Sequence, residues 1–252
     1  MNKKRVIARV DVKNEFVIKG IHLEGLRKVG DPNELAKKYY ESGVDEIIFM
    51  DAVAAYYDRN SLSHIIEKAC DDVFVPIAVG GGIRTIEDVQ TALNSGADKV
   101  AINTKAVQDP EFIERAAKVF GSQCIVISID AKHVGDGKWE AYVDNGREPT
   151  GLDVIEWAQK VEQLGAGEIM LTSIDAEGTK KGFDCDLNKV VCDAVTIPVI
   201  SSGGAGKTSH VIELMETAEV DAVAVASLVH YELSSIEEIK KDLLSKGIKV
   251  RV

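Results

Sequence analysis

The sequence lacks the features that mark several large classes of protein. Its four cysteines form no CxxC pair and have no histidine cluster beside them, which argues against a zinc site. We expect reduced thiols in a cytoplasmic protein. No run approaches the roughly 18 uninterrupted apolar residues that a membrane span needs, and the basic first residues lack the apolar stretch of a signal peptide. The cysteines are Cys70, Cys124, Cys185 and Cys192.

Positive charge is also in short supply. The chain has 30 Lys and Arg residues against 41 Asp and Glu residues, a formal net charge of −11. This balance disfavours nucleic acid or an anionic membrane surface as the main partner. An anionic substrate would therefore need a local site made of backbone N–H groups, helix N-termini and a few cations.

Short apolar runs alternate with amphipathic stretches along the whole chain. The runs are rich in Val and Ile and show no strict alternation, which is typical of strands buried on both faces of a parallel sheet. Eight such units without a linker predict one domain over residues 1–252, an α/β fold of the (β/α)8 or TIM barrel type. The predicted strands cover residues 5–11, 46–51, 75–81, 99–103, 124–130, 168–173, 197–201 and 222–227, and predicted helices cover 31–43, 85–96, 109–121, 151–165 and 234–247.

The two halves of the sequence resemble each other. VDVK at residues 10–13 matches IDAK at 129–132, and VPIAVGGGIRT at 75–85 matches IPVISSGGAGKT at 197–208. The landmarks recur in the same order at a nearly constant offset of about 120 residues, which indicates a barrel built from two duplicated half-barrels. The alternative is that all strand–helix units look alike.

Two carboxylates are the candidate catalytic groups. Active sites of such barrels lie at the carboxyl ends of the strands, where Asp11 ends the first predicted strand and Asp130 ends the fifth. These strands stand opposite each other, so both acids can face one substrate. Two acids in different surroundings can divide the roles of proton donor and acceptor. The alternative is that each Asp caps the loop that follows it.

Glycine-rich turns after the third and seventh strands predict two phosphate sites. Glycine lets the backbone approach a phosphate closely, and the next helix presents free N–H groups. Two glycine-rich turns at equivalent positions suggest a substrate with phosphate at both ends. The alternative for a single glycine turn is that it only reverses the chain. The candidate phosphate-binding residues are Gly82, Asn103, Thr104, Gly178, Ser202, Gly203, Gly204, Ala226 and Ser227.

Four further polar residues are expected at the same mouth. Asp51 and Thr172 end the second and sixth strands, and Glu177 follows the sixth. Lys19 is placed in the loop after the first strand, where it either closes over an anionic ligand or is solvated.

A second charged group is expected at the opposite end. Two cations and two anions lie at or just before the starts of four strands, and together they predict an ion-paired ring across the bottom of the barrel. Such a ring either seals the barrel or gates the entry of a small molecule. Its members are Arg5, Glu46, Lys99 and Glu168.

These motifs resemble one known family over essentially the whole chain. VDVK, VGGGI, GADKVAINT, FGSQ, IDAK, GAGEI with LTSID, and SGGAGK are similar to the cyclase subunit of imidazole glycerol phosphate synthase. The glycine motifs are shared with the sister isomerase of histidine biosynthesis. FGSQ, GAGEI with LTSID and the four charged residues point more narrowly to the cyclase.

The resemblance implies a partner and a reaction. A glutaminase subunit forms a heterodimer on the bottom face, near Asp98 and Gln123, and releases ammonia that passes the charged gate. The ammonia attacks a bis-phosphorylated formimino ribonucleotide, giving imidazole glycerol phosphate and an aminoimidazole carboxamide ribonucleotide. Asp11 and Asp130 match the acid–base pair of the family. Neither a metal nor an organic cofactor is implied.

The sequence departs from the family at the substrate mouth. Arg9 stands where Cys is usual, His22 where Asn is common, and Glu177 where Asp is usual, while residues 51–55 read DAVAA instead of DITAS. These changes leave open a paralogue that delivers ammonia for sugar amidation in surface-polysaccharide synthesis. A single-chain sugar isomerase and a barrel that only activates its glutaminase are further alternatives.

Overall fold

Eight parallel strands form a closed barrel in the computed structural model, which describes residues 3–52 and 62–251. The strands are β1 (Arg5–Lys13), β2 (Phe16–Ile21), β3 (Glu24–Gly30), β4 (Glu46–Asp51), β5 (Ile77–Gly80), β6 (Lys99–Ile102), β7 (Ile125–Gly135), β8 (Lys138–Val143), β9 (Glu148–Asp153), β10 (Glu168–Ser173), β11 (Val199–Ser202) and β12 (Ala222–Val225). The helices are α1 (Pro32–Glu41), α2 (Ser63–Ala69), α3 (Ile86–Asn94), α4 (Thr104–Gln108), α5 (Glu111–Phe120), α6 (Val154–Gln163), α7 (Cys185–Ala194), α8 (Thr208–Thr217), α9 (Ser227–His230) and α10 (Ile236–Ser245).

Parallel pairing runs around the barrel without a break. β1 pairs with β4 on one side and with β12 on the other, and β10 pairs with both β7 and β11. The remaining strands complete the order β1-β4-β5-β6-β7-β10-β11-β12. The predicted (β/α)8 barrel is therefore confirmed, and the predicted strands at residues 46–51 and 168–173 match β4 and β10 at both ends.

Strand alternation separates an inner core from an outer one. On β1, Val6, Ala8 and Val10 pack outward in a cluster shared with the helices, whereas Ile7 packs inward. This is the pattern of a barrel strand, which turns alternate residues to the interior and to the surrounding helices. It explains why the strands are apolar on both faces.

Two antiparallel hairpins extend the barrel at equivalent points of the two halves. β2 and β3 follow β1, and β8 and β9 follow β7. The sequence interpretation placed Lys19 in a loop; this was wrong, because Lys19 lies in β2 and is buried. The alternating pattern of FVIKGI was too short to stand out against the longer apolar runs.

Local sequence signals begin several helices where they were expected. Asp31 caps α1 by accepting from the backbone N–H of Asn33 and Glu34, and Pro32 occupies its first position, as helix N-termini favour. Thr85 and Ser235 form capping boxes at α3 and α10. Within the described ranges, no helix is long and apolar enough to cross a membrane.

We predict that Phe112→Ala destabilises the barrel much more than Phe74→Ala. Phe112 is 2% exposed in the outer core, whereas Phe74 is 75% exposed. Loss of a buried phenyl ring costs about 3–5 kcal/mol, while loss of an exposed one costs about 1 kcal/mol or less. Urea unfolding of the two variants and the wild type measures the difference. Equal losses of stability would contradict the packing described for α5.

Candidate active site

The inward-facing side chains of β1 define the levels of the barrel interior. From the amino to the carboxyl end of the strand they are Arg5, Ile7, Arg9 and Asp11, every second residue. Three of these four are charged, and all four are buried. Because an unpaired buried charge is costly, the partners of these residues determine what the interior can do.

The bottom level is a closed ring of ion pairs. Arg5 donates to Glu46 at 2.8 Å and to Glu168 at 2.5 Å. Lys99 Nζ lies 3.0 Å from Glu46 and 2.7 Å from Glu168. Each cation thus contacts both anions, so the four residues predicted as a gate meet across the barrel axis.

The middle level is apolar. Its side chains are small on β5 and β6, where Ala78 and Ala101 face inward, and larger on β10, which contributes Met170. The members of this level are Ile7, Ile48, Ala78, Ala101, Val126, Met170, Ile200, Ala222 and Ala224. No charge of the described chain interrupts this cluster between the ring below and Arg9 above.

Arg9 extends across the upper level of the barrel from β1 to β10 and β11. Its Nε donates to Asp11 Oδ1 at 2.9 Å, and its Nη1 donates to Thr172 at 3.0 Å and to Ser202 at 3.1 Å. The residue is 4% exposed. A planar guanidinium with three such acceptors has a fixed orientation.

Lys19 joins the same network from the β2–β3 hairpin. Its Nζ contacts Asp11 Oδ2 at 3.3 Å and also pairs with Glu177. All three side chains are buried. Asp11 therefore lies between two cations, and the second of them ties the hairpin to the loop after β10.

The pKa values of the two candidate acids are shifted in opposite directions. Burial raises the pKa of Asp11, but the charges of Arg9 and Lys19 outweigh this effect and lower the pKa to about 2. Burial raises the pKa of Asp130 to about 6; Glu177 and Asp11 also raise it, against the effects of Arg9 and of the Asn103 amide. Asp11 is thus a carboxylate at neutral pH, whereas Asp130 takes up its proton at a pH of about 6.

A cavity of about 300 Å³ opens beside Asp130 on the side of the first half-barrel. Gly82 lines it as predicted, and Arg9, Asp51 and Ser128 line it as well. Asn103 is anchored here, since its Nδ2 donates to Asp130 Oδ2 at 3.0 Å and to the carbonyl oxygen of Tyr142 at 3.2 Å. The cavity combines a glycine turn, the start of α4 and an acid.

The corresponding region of the second half is nearly closed. Gly203, Gly204 and Ser227 line a cavity of about 10 Å³ together with Lys19 and Glu177. Gly178 packs against the hairpin: a Cβ atom there would lie 2.2 Å from the carbonyl oxygen of Gly20. The two glycine turns thus occupy equivalent positions but unequal spaces.

The structure brings most of the predicted site residues to one mouth. Thr172 and Ser202 bind Arg9 there, and Ala226 lines the smaller cavity. Thr104 accepts from the backbone N–H of Asp144 at 3.3 Å. Asp98 and Gln123 are exposed at the other end, next to the first residues of β6 and β7.

Other positions singled out in the sequence lie outside this network. Lys13 and Lys132, which follow the two acids, are exposed, so neither lines the pockets beside them. His22 Nδ1 donates to the carbonyl oxygen of Ile174, 2.9 Å away. The departure at residues 53–55 lies outside the described residues.

Sequence reasoning missed the position of Arg9 and the roles of three neighbours. Arg9 was noted as a departure, but its inward direction follows from its even spacing with Arg5, Ile7 and Asp11. Ser128 shares this spacing with Asp130. Asn145 lines the cavity from a turn, and no pattern predicted it. His230 lies near Asp11, and burial lowers the pKa of its imidazole to about 4.

The polar groups of this mouth indicate which chemistry it can perform. Among them, no group of three or more His, Cys, Asp or Glu side chains is arranged to hold a metal ion. What the residues do supply is an ionised carboxylate, a protonatable acid and glycine turns at helix starts. This arrangement suits acid–base chemistry on an anionic substrate.

The fold and the site together define a barrel enzyme, and comparison with known proteins identifies its family. A model described as "Histidine biosynthesis protein" matches residues 5–235. The chain is 50% identical over 252 residues, 100% of its length and 99% of the relative, to imidazole glycerol phosphate synthase subunit HisF of Dehalococcoides mccartyi. The protein of the same name from Methanopyrus kandleri is 48% identical over 266 residues, covering 98% of each chain. The chain belongs to the HisF family of imidazole glycerol phosphate synthase subunits, as its motifs indicated.

We predict opposite effects on stability when the two acids are neutralised. The pKa of Asp130 is raised from 3.8 to about 6, so ionisation of this residue destabilises the fold as the pH rises from about 4 to 7. Asp130→Asn should therefore be more stable than the wild type at pH 7.5, on the order of 2 kcal/mol, with a smaller gain at pH 5.

Asp11→Asn should be less stable than the wild type at both pH values. The lowered pKa of Asp11 contributes stability that is lost only as the pH falls towards 2, well below the range tested. Urea unfolding of the three proteins at pH 5 and 7.5 measures both effects. A loss of stability at pH 7.5 in the Asp130→Asn variant would contradict the environment described for this residue.

Proposed function

We propose that this chain is the cyclase subunit of an imidazole glycerol phosphate synthase and that Asp11 and Asp130 carry its acid–base chemistry. The observation that carries the proposal is the order of levels along the barrel axis. An ion-paired ring lies at the bottom, an apolar interior follows, and two acids with opposite pKa shifts lie at the top.

This order suits the delivery of ammonia through the barrel. Neutral ammonia can cross an apolar interior, whereas the ammonium ion would lose its hydration there. The route leads past the small side chains of β5 and β6, because Ala101 belongs to the apolar level and also lines the 300 Å³ cavity. Ammonia arriving this way emerges next to Asp130.

The upper mouth suits a substrate with two anionic ends. In the first half, Gly82 and the start of α4 at Thr104 offer backbone N–H groups to one phosphate. In the second half, Gly204 and Ser227 lie at equivalent positions beside Lys19, in a space of about 10 Å³ that must widen to admit the other phosphate. The formimino ribonucleotide that the family resemblance implies is bis-phosphorylated, so it could be held at both ends across the acids.

The acids divide the proton transfers that the reaction needs. A proton must leave the attacking nitrogen, and another must reach the nitrogen that departs with the carboxamide ribonucleotide. Asp11 is ionised and can accept a proton, whereas Asp130, whose pKa is raised to about 6, is the one of the two that can be protonated close to neutral pH and can donate. Asp51 and Thr172 complete the polar lining of the mouth.

We further propose that a glutaminase subunit binds the bottom face and forms a heterodimer with this chain. The relatives are named as subunits of a synthase, so a partner subunit is part of the family's assembly. Asp98 and Gln123 are exposed around the ring of ion pairs, where ammonia from such a partner would enter. The four free cysteines suit a reducing cytoplasm.

The catalytic proposal predicts that Asp11→Asn and Asp130→Asn each lower the rate at least about 100-fold. The assay supplies the formimino ribonucleotide with an ammonium salt as nitrogen source, so it needs no partner subunit. Product formation is followed by absorbance and mass spectrometry. The control is Asp193→Asn, which changes an exposed carboxylate of α7 and should leave the rate unchanged. A wild-type chain that does not turn over this substrate would refute the proposed function.

A further inference from the structure

Arg9 is a buried cation whose cost to the fold calls for an explanation. An apolar side chain would fill the same interior position without desolvating a charge, and buried ion pairs seldom stabilise a protein better than apolar packing does. The residue nevertheless lies directly between the apolar level and the candidate acids. Its position, rather than its contribution to stability, therefore indicates its role.

The contacts of Arg9 orient one of the two acids. Thr172 on β10 and Ser202 on β11 accept from Nη1 of Arg9, and Nε of Arg9 donates to Asp11. The guanidinium plane is thus fixed by strands two and three positions from β1 around the barrel. Asp11 accepts from Arg9 through one carboxylate oxygen, and its other oxygen faces Lys19.

Asp130 has no such contact with a cation in the described residues. Its carboxylate accepts from the neutral amide of Asn103, and it borders the larger cavity. Arg9 borders this cavity too, so a ligand placed there would lie against the guanidinium on one side and against Asp130 on the other.

We propose that Arg9 is a positioning residue of the reaction: its guanidinium holds Asp11 as an oriented carboxylate, so that proton donation falls to Asp130. The inference rests on the proposed cyclase function, which it deepens. An uncharged side chain at this position would leave Asp11 paired with Lys19 alone. The charged and titratable groups that face this pair are Lys19 on β2, Asp130 on β7, Glu177 after β10 and His230 on α9.

The test compares variants that keep or remove the charge. Arg9→Lys keeps it, Arg9→Met removes it, and Arg9→Gln removes it but retains donors for Thr172 and Ser202. Arg115→Met, at an exposed surface pair, is the matched control. Thermal melts establish which variants are folded. The ammonium-dependent rate of each variant is measured from pH 5 to 9 and compared with that of the wild type at the same pH and ammonium concentration, so that the change in free ammonia cancels.

We expect the acidic limb of the kcat profile, which lies below pH 5 in the wild type, to move up into the measured range in Arg9→Met and Arg9→Gln, because Asp11 then loses its contact with Arg9 but stays buried. The kcat of these variants relative to the wild type should fall at least about threefold towards pH 5. The limb should stay in place in Arg9→Lys and Arg115→Met, and KM should change less than kcat in the neutral variants. A residue that only supports the fold would lower the amount of active protein without moving this limb.

A measurement without substrate separates this inference from the proposed function. The carboxyl carbon of Asp11, followed by NMR in 13C-labelled protein, should titrate at higher pH in the neutral variants than in the wild type. If the wild type is inactive but this shift appears, the proposed function is refuted, whereas the interaction of Arg9 with Asp11 is supported. If the wild type is active and neither the limb nor the titration moves, or the titration moves alone, the role of Arg9 in the reaction is overturned.

Discussion

The pairing of charges inside the barrel is the constraint on which the rest of the structure depends. Strand geometry turns every second residue of β1 inward, and three of those residues are charged. A buried charge without a partner costs several kcal/mol, so each one must recruit partners from other strands. Arg5 reaches β4 and β10, and Arg9 reaches β10 and β11.

These pairings create the polarity of the interior. The bottom ring uses two cations and two anions, which leaves it balanced and closed. The upper network combines Arg9 and Lys19 with Asp11 and Glu177, which is balanced as well. Asp130 is buried outside that balance, and burial without an ion-pair partner among the described residues raises its pKa. The different roles proposed for the two acids thus come from their surroundings and not from their own chemistry.

The sequence predicted the barrel because its signals are local and repeated. Apolar runs recur in every unit, side-chain caps begin several of the helices, and strands such as β4 and β10 were placed to the residue. The positions of Asp11, Asp130 and the four ring residues followed from strand ends. The β2–β3 hairpin was missed because it is short, and with it the burial of Lys19.

The contacts that distinguish the two acids could not be predicted from the sequence, for a physical reason. They join residues far apart along the chain, such as Arg9 with Ser202 and Asn103 with Asp130. Spacing shows that a side chain faces the interior, but not how far it reaches across it. A long side chain such as Arg9 can contact β11, two strands away around the barrel, whereas the shorter side chains beside it cannot.

The unequal cavities show how a duplicated scaffold can serve an asymmetric reaction. The glycine turns after β5 and β11 are similar in sequence, yet one borders about 300 Å³ and the other about 10 Å³. The difference arises where Lys19 pairs with Glu177 and draws the β2–β3 hairpin over the second half. The β8–β9 hairpin follows the other half without an equivalent ion pair to Asp130 among the described residues. A reaction that breaks its substrate into two different products needs its two ends treated differently, and here that difference comes from two buried cations of β1 and β2.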